Sequence, residues 1–323
     1  MADLAGNARQ SEPHEIHLVG VGVGHALTPV LHNFVAYSLN IPWRIIATEC
    51  PTIEDCARLF RSPKQAGGVI TMPWKAGIMQ HLDHLDGTVK ILQACNVMYL
   101  DAAGRLCGSN TDWIGIEGAL RAAGTMSLNA QQGDVALVVG AGGAARAAVY
   151  ALASCFGAKE IYVLNKDAEE VVRLARDCNQ MSCSIVHVQT LEQAQGLRAP
   201  TIVISSVPDL EPKSPEEKAV RSILDWFLGQ AKEKGVVLDM CYYPTPQTGT
   251  LRLAEFHGWK TIQGAQVVGH QVEAMWRYWV DADCLERLDR KGLWQTLHEA
   301  IALDPGRRQK LNDSIVHRHF GSP

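Results

Sequence analysis

Residues 135–147 read VALVVGAGGAARA, a run of five apolar residues followed by a turn with three glycines. The continuous apolar run is typical of a strand in a parallel sheet covered on both faces. Glycines at a strand–turn–helix junction let the backbone approach a pyrophosphate, and the start of the helix holds its negative charge. The stretch therefore predicts a dinucleotide-binding domain; the alternative is a tight turn that binds no ligand.

Further apolar runs follow this stretch at even spacing, with helix-like segments between them. They lie at residues 161–164, 185–188, 201–204 and 236–239. This alternation predicts a doubly wound Rossmann domain.

The same alternation occurs before residue 113 and predicts a first α/β domain with a mostly parallel sheet. Its expected strands are 16–20, 43–47 and 68–72, and its expected helices are 29–36, 53–60 and 75–82. A helix predicted from Trp113 to Ala123 joins the two domains, and the tail from Gln271 onward is expected to be helical and to pack on the first domain. The predicted boundaries are 1–112 for a substrate-binding domain, 113–264 for the dinucleotide domain and 265–323 for the carboxy-terminal helices.

Composition excludes several classes of function. The 323 residues carry 30 Lys and Arg against 34 Asp and Glu, so the chain lacks the positive field of a nucleic-acid or anionic-membrane binder. Nine cysteines without a CxxC pair indicate reduced thiols and predict neither a disulfide framework nor a metal site. No stretch reaches the roughly 20 apolar residues of a membrane span. We expect a cytosolic monomer or homodimer that acts on a small molecule.

Residues 165–167 bear on the choice of dinucleotide because they follow the second strand of the Rossmann domain. They read Asn165-Lys166-Asp167. An acidic side chain here accepts hydrogen bonds from a ribose 2′-hydroxyl, whereas a basic one favours a 2′-phosphate. Because Asp167 can neutralise Lys166, and a single lysine is a flexible point charge, the sequence favours NAD and leaves NADP open. Alternatively, both residues are solvated charges at the start of a helix.

Six further motifs lie outside the glycine turn and follow one another along the chain. They are GVGVGHALTP at 20–29 with His32-Asn33, GGVITMPWK at 67–75, ACN at 94–96, NTD at 110–112, DMCYYP at 239–244 and GHQ at 269–271. As an ordered set they resemble the shikimate/quinate dehydrogenase family over nearly the whole chain. Together with residues 48–55, the form of the second motif is most similar to the fungal NAD-dependent quinate/shikimate dehydrogenases.

The resemblance implies a reversible NAD(P)-dependent oxidation of quinate or shikimate to the 3-dehydro acid, in a cleft between the two domains. Such an oxidation needs a group that accepts the proton of the hydroxyl, and Lys75 is the candidate. Asp112 would orient the amine, and the two groups would titrate as one dyad. The plain alternatives are a surface lysine and a helix N-cap.

The other site residues are carried over from the family onto matching positions. Substrate contacts are implied for Ala26, Thr28, Thr71, Asn96, Tyr242 and Gln271, and dinucleotide contacts for Gly140, Ala141, Gly142, Gly143, Ala144, Asn165, Lys166, Asp167, Val207 and Gly264. Asn96 and Gln271 can equally serve buried backbone groups, and Thr71 and Tyr242 can be ordinary packing residues.

The substrate-carboxylate turn departs from the family pattern. Members with a strict shikimate preference usually carry two serines where this chain has Ala26 and Thr28. Loss of one hydrogen bond to a charged group costs about 1.5–3 kcal/mol, so shikimate should bind this turn less tightly unless another group replaces the donor. A relaxed or quinate-directed pocket would follow.

Two other functions remain open. One is a dehydrogenase-like sensor or regulator that binds a quinate-like ligand without turnover. The other is an enzyme similar to methylenetetrahydrofolate dehydrogenase, which also combines a strand-end lysine with a Rossmann half.

Overall fold

The computed structural model describes residues 11–126, 128 and 135–321. The chain divides into two compact units. Among the described residues, the first unit contains those up to Lys90, residues 94–111 and those from Val268 onward. The second contains residues 91–93 and 112–267.

The first unit is built on a six-stranded sheet. In chain order its elements are β1 (His14–Gly20), α1 (Thr28–Leu39), β2 (Trp43–Glu49), α2 (Ile53–Phe60), β3 (Gln65–Ile70), β4 (His84–Leu85), α3 (Gly87–Leu92), β5 (Val97–Leu100) and β6 (Leu106–Ser109). The strand order is β2-β1-β3-β5-β6-β4. β1 pairs in parallel with β2 and β3, while β5 pairs antiparallel with both β3 and β6.

The second unit has a six-stranded, fully parallel sheet. Its elements are α4 (Asp112–Ala122), β7 (Ala136–Val139), α5 (Gly143–Tyr150), β8 (Glu160–Leu164), α6 (Ala168–Asp177), β9 (Ser184–His187), α7 (Leu191–Gln195), β10 (Ile202–Ser205), α8 (Pro215–Gln230), β11 (Val236–Asp239), α9 (Gly249–Phe256) and β12 (Lys260–Gln263). The order β12-β11-β10-β7-β8-β9 reverses between β7 and β10. Ligands of doubly wound sheets bind at the carboxyl ends of the strands at this switch point. The predicted α/β class with a Rossmann sheet is confirmed.

The tail of the chain is helical, as the sequence predicts. Its elements are α10 (Gly264–Trp276), α11 (Ala282–Glu286), α12 (Arg290–Ile301) and α13 (Pro305–Phe320). The Trp279 indole donates a hydrogen bond to the Met98 carbonyl of β5 at 2.9 Å, and an added Cβ on Gly67 of β3 would collide with that indole. Asn312 of α13 accepts a hydrogen bond from the Asn33 amide of α1 at 2.8 Å. These contacts attach the tail to the sheet and the first helix of the first unit.

Two local predictions are wrong. β3 ends at Ile70 rather than Met72, and the helix predicted over 75–82 is a short 3-10 helix from Gly77 to His81. The Lys75 carbonyl accepts a hydrogen bond from the Cys95 amide at 2.7 Å. This carbonyl therefore bonds to a different segment of the chain, whereas in an α-helix it would accept from an amide one turn later.

No described helix is both long enough and apolar enough to span a membrane. Within the same residues, no three His, Cys, Asp or Glu side chains form a metal-binding group.

Candidate active site

The turn at residues 20–28 is fixed from two sides within the first unit. The Val21 amide donates to the Met72 carbonyl at 3.1 Å, and an added Cβ on Gly20 would lie 2.5 Å from the Thr71 methyl. On the other side, the Glu49 carboxylate accepts hydrogen bonds from the Gly22 and Val23 amides at 2.8 and 2.6 Å. The turn that carries Ala26 and Thr28 is therefore bonded to the segment between Thr71 and Lys75.

Lys75 lies in the turn that follows β3, and its side chain is half-buried. Its carbonyl bond to the Cys95 amide brings this turn beside Asn96, which is only 2% exposed. The Asn96 side-chain oxygen accepts from the Thr111 amide at 2.8 Å, and the Asn96 carbonyl accepts from the Ile70 amide at 2.9 Å. Three sequence motifs are thus joined by hydrogen bonds, and Asn96 satisfies a buried backbone amide in this structure.

The predicted catalytic and substrate residues are divided between the two units. Ala26, Thr28, Thr71, Lys75, Asn96 and Gln271 belong to the first unit, and Asp112 and Tyr242 belong to the second. Asp112 is 4% exposed and opens α4 directly after Thr111. Gln271 is 8% exposed on α10, while Tyr242 is half-buried in the loop after β11.

His32 and Asn33 follow the turn at residues 20–28 in sequence, but they are packing residues of the first unit. The Trp276 indole donates to His32 Nδ1 at 3.1 Å, and burial lowers the pKa of His32 to about 3, so the imidazole is a neutral acceptor. Asn33 exchanges two hydrogen bonds of 2.9 Å with the backbone of Ile45. Both side chains hold α1 to its neighbours.

The glycine turn has the form of a phosphate cradle. Gly140 has a φ of 112°, and an added Cβ would lie 2.6 Å from Ser206 Oγ and 3.2 Å from the Val207 side chain. Gly142 is extended at the N-cap of α5, and an added Cβ there would meet no atom within 4 Å. The Gly142 position has no side-chain cap, so the first turn of α5 offers its amides to an anion. Gly143 and Ala144 form that turn, and Ala141 is 5% exposed behind it.

Gly264 has a packing reason to be glycine. An added Cβ would collide with the Met240 carbonyl at the end of β11. Its backbone therefore lies directly against the start of the loop that carries Tyr242.

The residues after β8 are each engaged with protein groups. Asp167 is the N-cap of α6 and accepts from the Glu169 and Glu170 amides, and the Asn165 amide donates to the Glu170 carboxylate at 2.9 Å. Lys166 pairs with Glu217 of α8 at 2.7 Å, not with Asp167 as the sequence suggested. This ion pair, with the Lys213 and Ser214 amides, lowers the pKa of Glu217 to about 2.

Comparison with known proteins identifies the chain. The family model described as "Shikimate dehydrogenase substrate binding domain" matches residues 18–98, and the one described as "Shikimate / quinate 5-dehydrogenase" matches residues 123–224. A quinate dehydrogenase of Emericella nidulans is 34% identical over 317 residues, covering 92% of this chain and 95% of that protein. The chain belongs to the shikimate/quinate dehydrogenase family. This finding confirms the resemblance and the enzyme class, and it does not support the folate dehydrogenase alternative.

Two further similar proteins are a larger multifunctional polypeptide and a dehydrogenase of known structure. The pentafunctional AROM polypeptide of Eremothecium gossypii is 33% identical over 83% of this chain, which spans only 17% of that larger protein. The solved shikimate 5-dehydrogenase of Thermus thermophilus, in complex with NADP(H) and shikimate, is 26% identical and has a TM-score of 0.68. That match covers 88% of this chain and 99% of the Thermus chain.

In this member of the shikimate/quinate dehydrogenase family, a buried carboxyl closes the loop that carries Tyr242. The Thr248 hydroxyl donates to Asp239 at 2.6 Å, and the Cys241 amide donates to it at 3.1 Å, so one side chain holds both ends of the loop. The pKa of Asp239 is raised to about 6, mainly by burial and also by the nearby Asp209 carboxylate, while these hydrogen bonds oppose the shift. Asp239 was not singled out from the sequence, because nothing in DMCYYP indicates how deeply its first residue is buried.

We expect the contribution of Asp239 to the stability of the chain to fall as the pH rises through its titration range. Between about pH 4 and pH 6, Asp239 keeps a proton in the folded chain that it releases in the unfolded chain, so at this group a higher pH favours unfolding. A pKa moved from 3.8 to about 6 corresponds to a loss of about 3 kcal/mol in the free energy of unfolding. Urea unfolding of the wild type and Asp239→Asn across this range measures the difference.

The expected result is that the wild type loses stability relative to Asp239→Asn as the pH rises from about 4 to about 6, since the asparagine does not titrate. Asp225→Asn, a substitution at the exposed carboxylate that pairs with His257, should follow the wild-type curve. Parallel curves for the wild type and Asp239→Asn would contradict the assignment.

Proposed function

We propose that this chain catalyses the reversible NAD-dependent oxidation of quinate or shikimate to the corresponding 3-dehydro acid in the cytosol. The observation that carries the proposal is the hydrogen-bonded cluster of the first unit. In that cluster, the turn of Ala26 and Thr28, the turn of Lys75 and the segment of Asn96 are joined although they are far apart in sequence. The fungal quinate dehydrogenase relative supports the same substrate class.

We assign the substrate carboxylate to the turn that contains Ala26 and Thr28. Thr28 offers a hydroxyl, whereas Ala26 offers no side-chain donor. The missing donor should weaken the binding of shikimate at this turn. The altered space near C1 suits a ring carbon that carries an additional hydroxyl. Quinate has that hydroxyl, so we propose that the pocket accepts quinate.

The dinucleotide would be held by the second unit. The glycine turn fits a pyrophosphate because an added Cβ on Gly142 would meet no atom within 4 Å, and because no side chain caps α5. Gly140, Gly142 and the amides of Gly143 and Ala144 would hold the pyrophosphate. When bound, the nicotinamide supplies the acceptor for the hydride that leaves the substrate carbon.

The proton of the reacting hydroxyl would pass to the chain itself. We propose that the Lys75 amine accepts it during oxidation and returns it during reduction, so that Lys75 acts as general base and general acid in the two directions. Asp112 would orient the amine and accept a hydrogen bond from the substrate, and the two groups would titrate as a pair. Asn96 and Gln271 would contact the ring hydroxyls, and Thr71 and Tyr242 would also lie at the substrate.

A substrate panel tests this proposal directly. Quinate and shikimate are each offered with NAD and with NADP, and formation of the reduced dinucleotide is followed by absorbance. We expect turnover with NAD and at least one of the two acids. If an acid binds but no combination gives turnover, the chain is a sensor or regulator rather than an enzyme. A clear NADP preference would overturn the cofactor assignment.

A further inference from the structure

Lys166, in the loop between β8 and α6, forms an ion pair with a residue of α8. Glu217 lies in the first turn of α8, 51 positions beyond Lys166, and its carboxylate contacts the Lys166 amine at 2.7 Å. The same carboxylate accepts hydrogen bonds from the Lys213 and Ser214 amides at 2.9 and 3.2 Å. Glu217 is therefore held in place by the backbone that precedes α8, independently of its ion pair.

The location of this ion pair matches the adenosine ribose of a bound dinucleotide. In doubly wound folds, the residue that selects between a 2′-hydroxyl and a 2′-phosphate lies about 20 residues after the glycine turn, at the end of the next strand. Lys166 lies two residues after the end of β8. A lysine amine at this position is a ready partner for a 2′-phosphate, provided that it is not already paired.

The electrostatic surroundings of Lys166 are acidic on both sides. Glu169 and Glu170 occupy the first turn of α6, and Glu216 and Glu217 occupy the first turn of α8. Glu217, Glu170 and Glu216 all raise the pKa of Lys166, and Glu217 has the largest effect. A phosphate entering here would have to displace the Glu217 carboxylate and approach those of Glu170 and Glu216.

We propose that Glu217 is the specificity-determining residue that makes this chain select NAD over NADP, by engaging Lys166 and holding a carboxylate where a 2′-phosphate would bind. The inference rests on the proposed dehydrogenase function, which supplies the dinucleotide. Asp167 contributes less than its acidity suggests, because one of its oxygens caps α6. A dinucleotide with a free 2′-hydroxyl meets no such repulsion.

Glu217→Gln isolates the charge from the structural role. A glutamine at this helix position can still accept the backbone hydrogen bonds of the capping box, whose other half is the Ser214 hydroxyl. The variant therefore keeps the cap and loses the negative charge together with the oxygen that accepts from the Lys166 amine. Binding of NAD and of NADP to the full-length chain is measured without substrate, by isothermal titration calorimetry.

We expect Glu217→Gln to bind NADP about tenfold to a hundredfold more tightly than the wild type, as one charge-assisted hydrogen bond to phosphate forms and a repulsion disappears. NAD binding should change less than threefold. The gain should shrink at high salt, since the groups are exposed. Asp225→Asn is the control. It removes the same charge from the same helix, but the Asp225 carboxylate pairs with His257, so the ratio of the NADP and NAD affinities should not change.

Lys166→Met provides a second, independent variant. With Glu217 left unpaired, NADP should bind still more weakly relative to NAD, and the double variant should lose most of the gain seen in Glu217→Gln. An unchanged affinity ratio in Glu217→Gln with normal NAD binding, or a wild type that prefers NADP, overturns the inference and leaves the dehydrogenase intact. Failure of the wild type to bind either dinucleotide refutes the proposed function instead.

Discussion

Replacing Lys75 with alanine should lower kcat for quinate or shikimate by about 10²–10⁴-fold, the range that a positioned general acid or base contributes. The fold should be preserved, because Lys75 contributes its backbone carbonyl to the Cys95 amide and alanine keeps that bond. Dinucleotide binding should also be preserved, since the glycine turn belongs to the other unit. Steady-state kinetics and calorimetric titration with NAD measure the two quantities separately.

Lys75→Arg separates proton transfer from charge. An arginine keeps a positive charge near the substrate but does not lose its proton in proteins, so it cannot serve as the base. We expect a KM near that of the wild type and a kcat nearly as low as in the alanine variant. Lys64→Ala is the matched control, because Lys64 is exposed just before β3 while Lys75 follows its other end. Near-normal turnover in Lys75→Ala would refute the assignment of the base.

Continuous apolar runs were sufficient to predict most of the architecture. The run ending at Val139 and the runs of β8, β10 and β11 are buried on both faces, so they are recognisable without tertiary information. The antiparallel pair β5 and β6 was missed. β6 reads LCGS, which carries little strand signal, and its position is set by pairing with β5, which in turn pairs with β3. Such a strand is defined by its neighbours rather than by its own composition.

The candidate site shows the same division between local and long-range information. Ordered motifs indicate Lys75, Asn96 and Asp112, because their residue types and order are visible along the chain. Glu49 and Glu217 could not be found in this way. Glu49 reaches amides 27 and 26 positions earlier, and Glu217 reaches an amine 51 positions earlier. Their roles depend on contacts that only the folded chain creates.

Arg308 is a further residue without a sequence signal. It is 8% exposed on α13, and its guanidinium donates to the carbonyls of His25, Ala300 and Leu303. The turn at residues 20–28 is thus supported by a residue 283 positions away. No local pattern distinguishes this arginine from a solvated one.

Substituting Gly142 with serine should raise the dissociation constant for NAD by about tenfold to a hundredfold without destabilising the fold. An added Cβ at Gly142 meets no protein atom within 4 Å, and the extended backbone there is the one that an N-cap serine adopts. The serine hydroxyl would accept a hydrogen bond from the first turn of α5, which stabilises the helix by a few tenths of a kcal/mol. The same bond occupies an amide that the pyrophosphate needs, and the side chain fills the space through which the phosphate approaches.

Gly140→Ser should destabilise the fold, whereas Gly142→Ser should not, and this difference in stability makes the pair of variants diagnostic. Gly140 has a φ of 112°, and its Cβ would lie 2.6 Å from Ser206 Oγ, so the substitution strains the backbone and costs about 1–3 kcal/mol of stability. Urea unfolding and NAD titration of both variants distinguish a glycine required by the turn from one required by the ligand. If Gly142→Ser binds NAD as tightly as the wild type, the pyrophosphate does not lie on this turn, and the phosphate cradle must be sought elsewhere in the second unit.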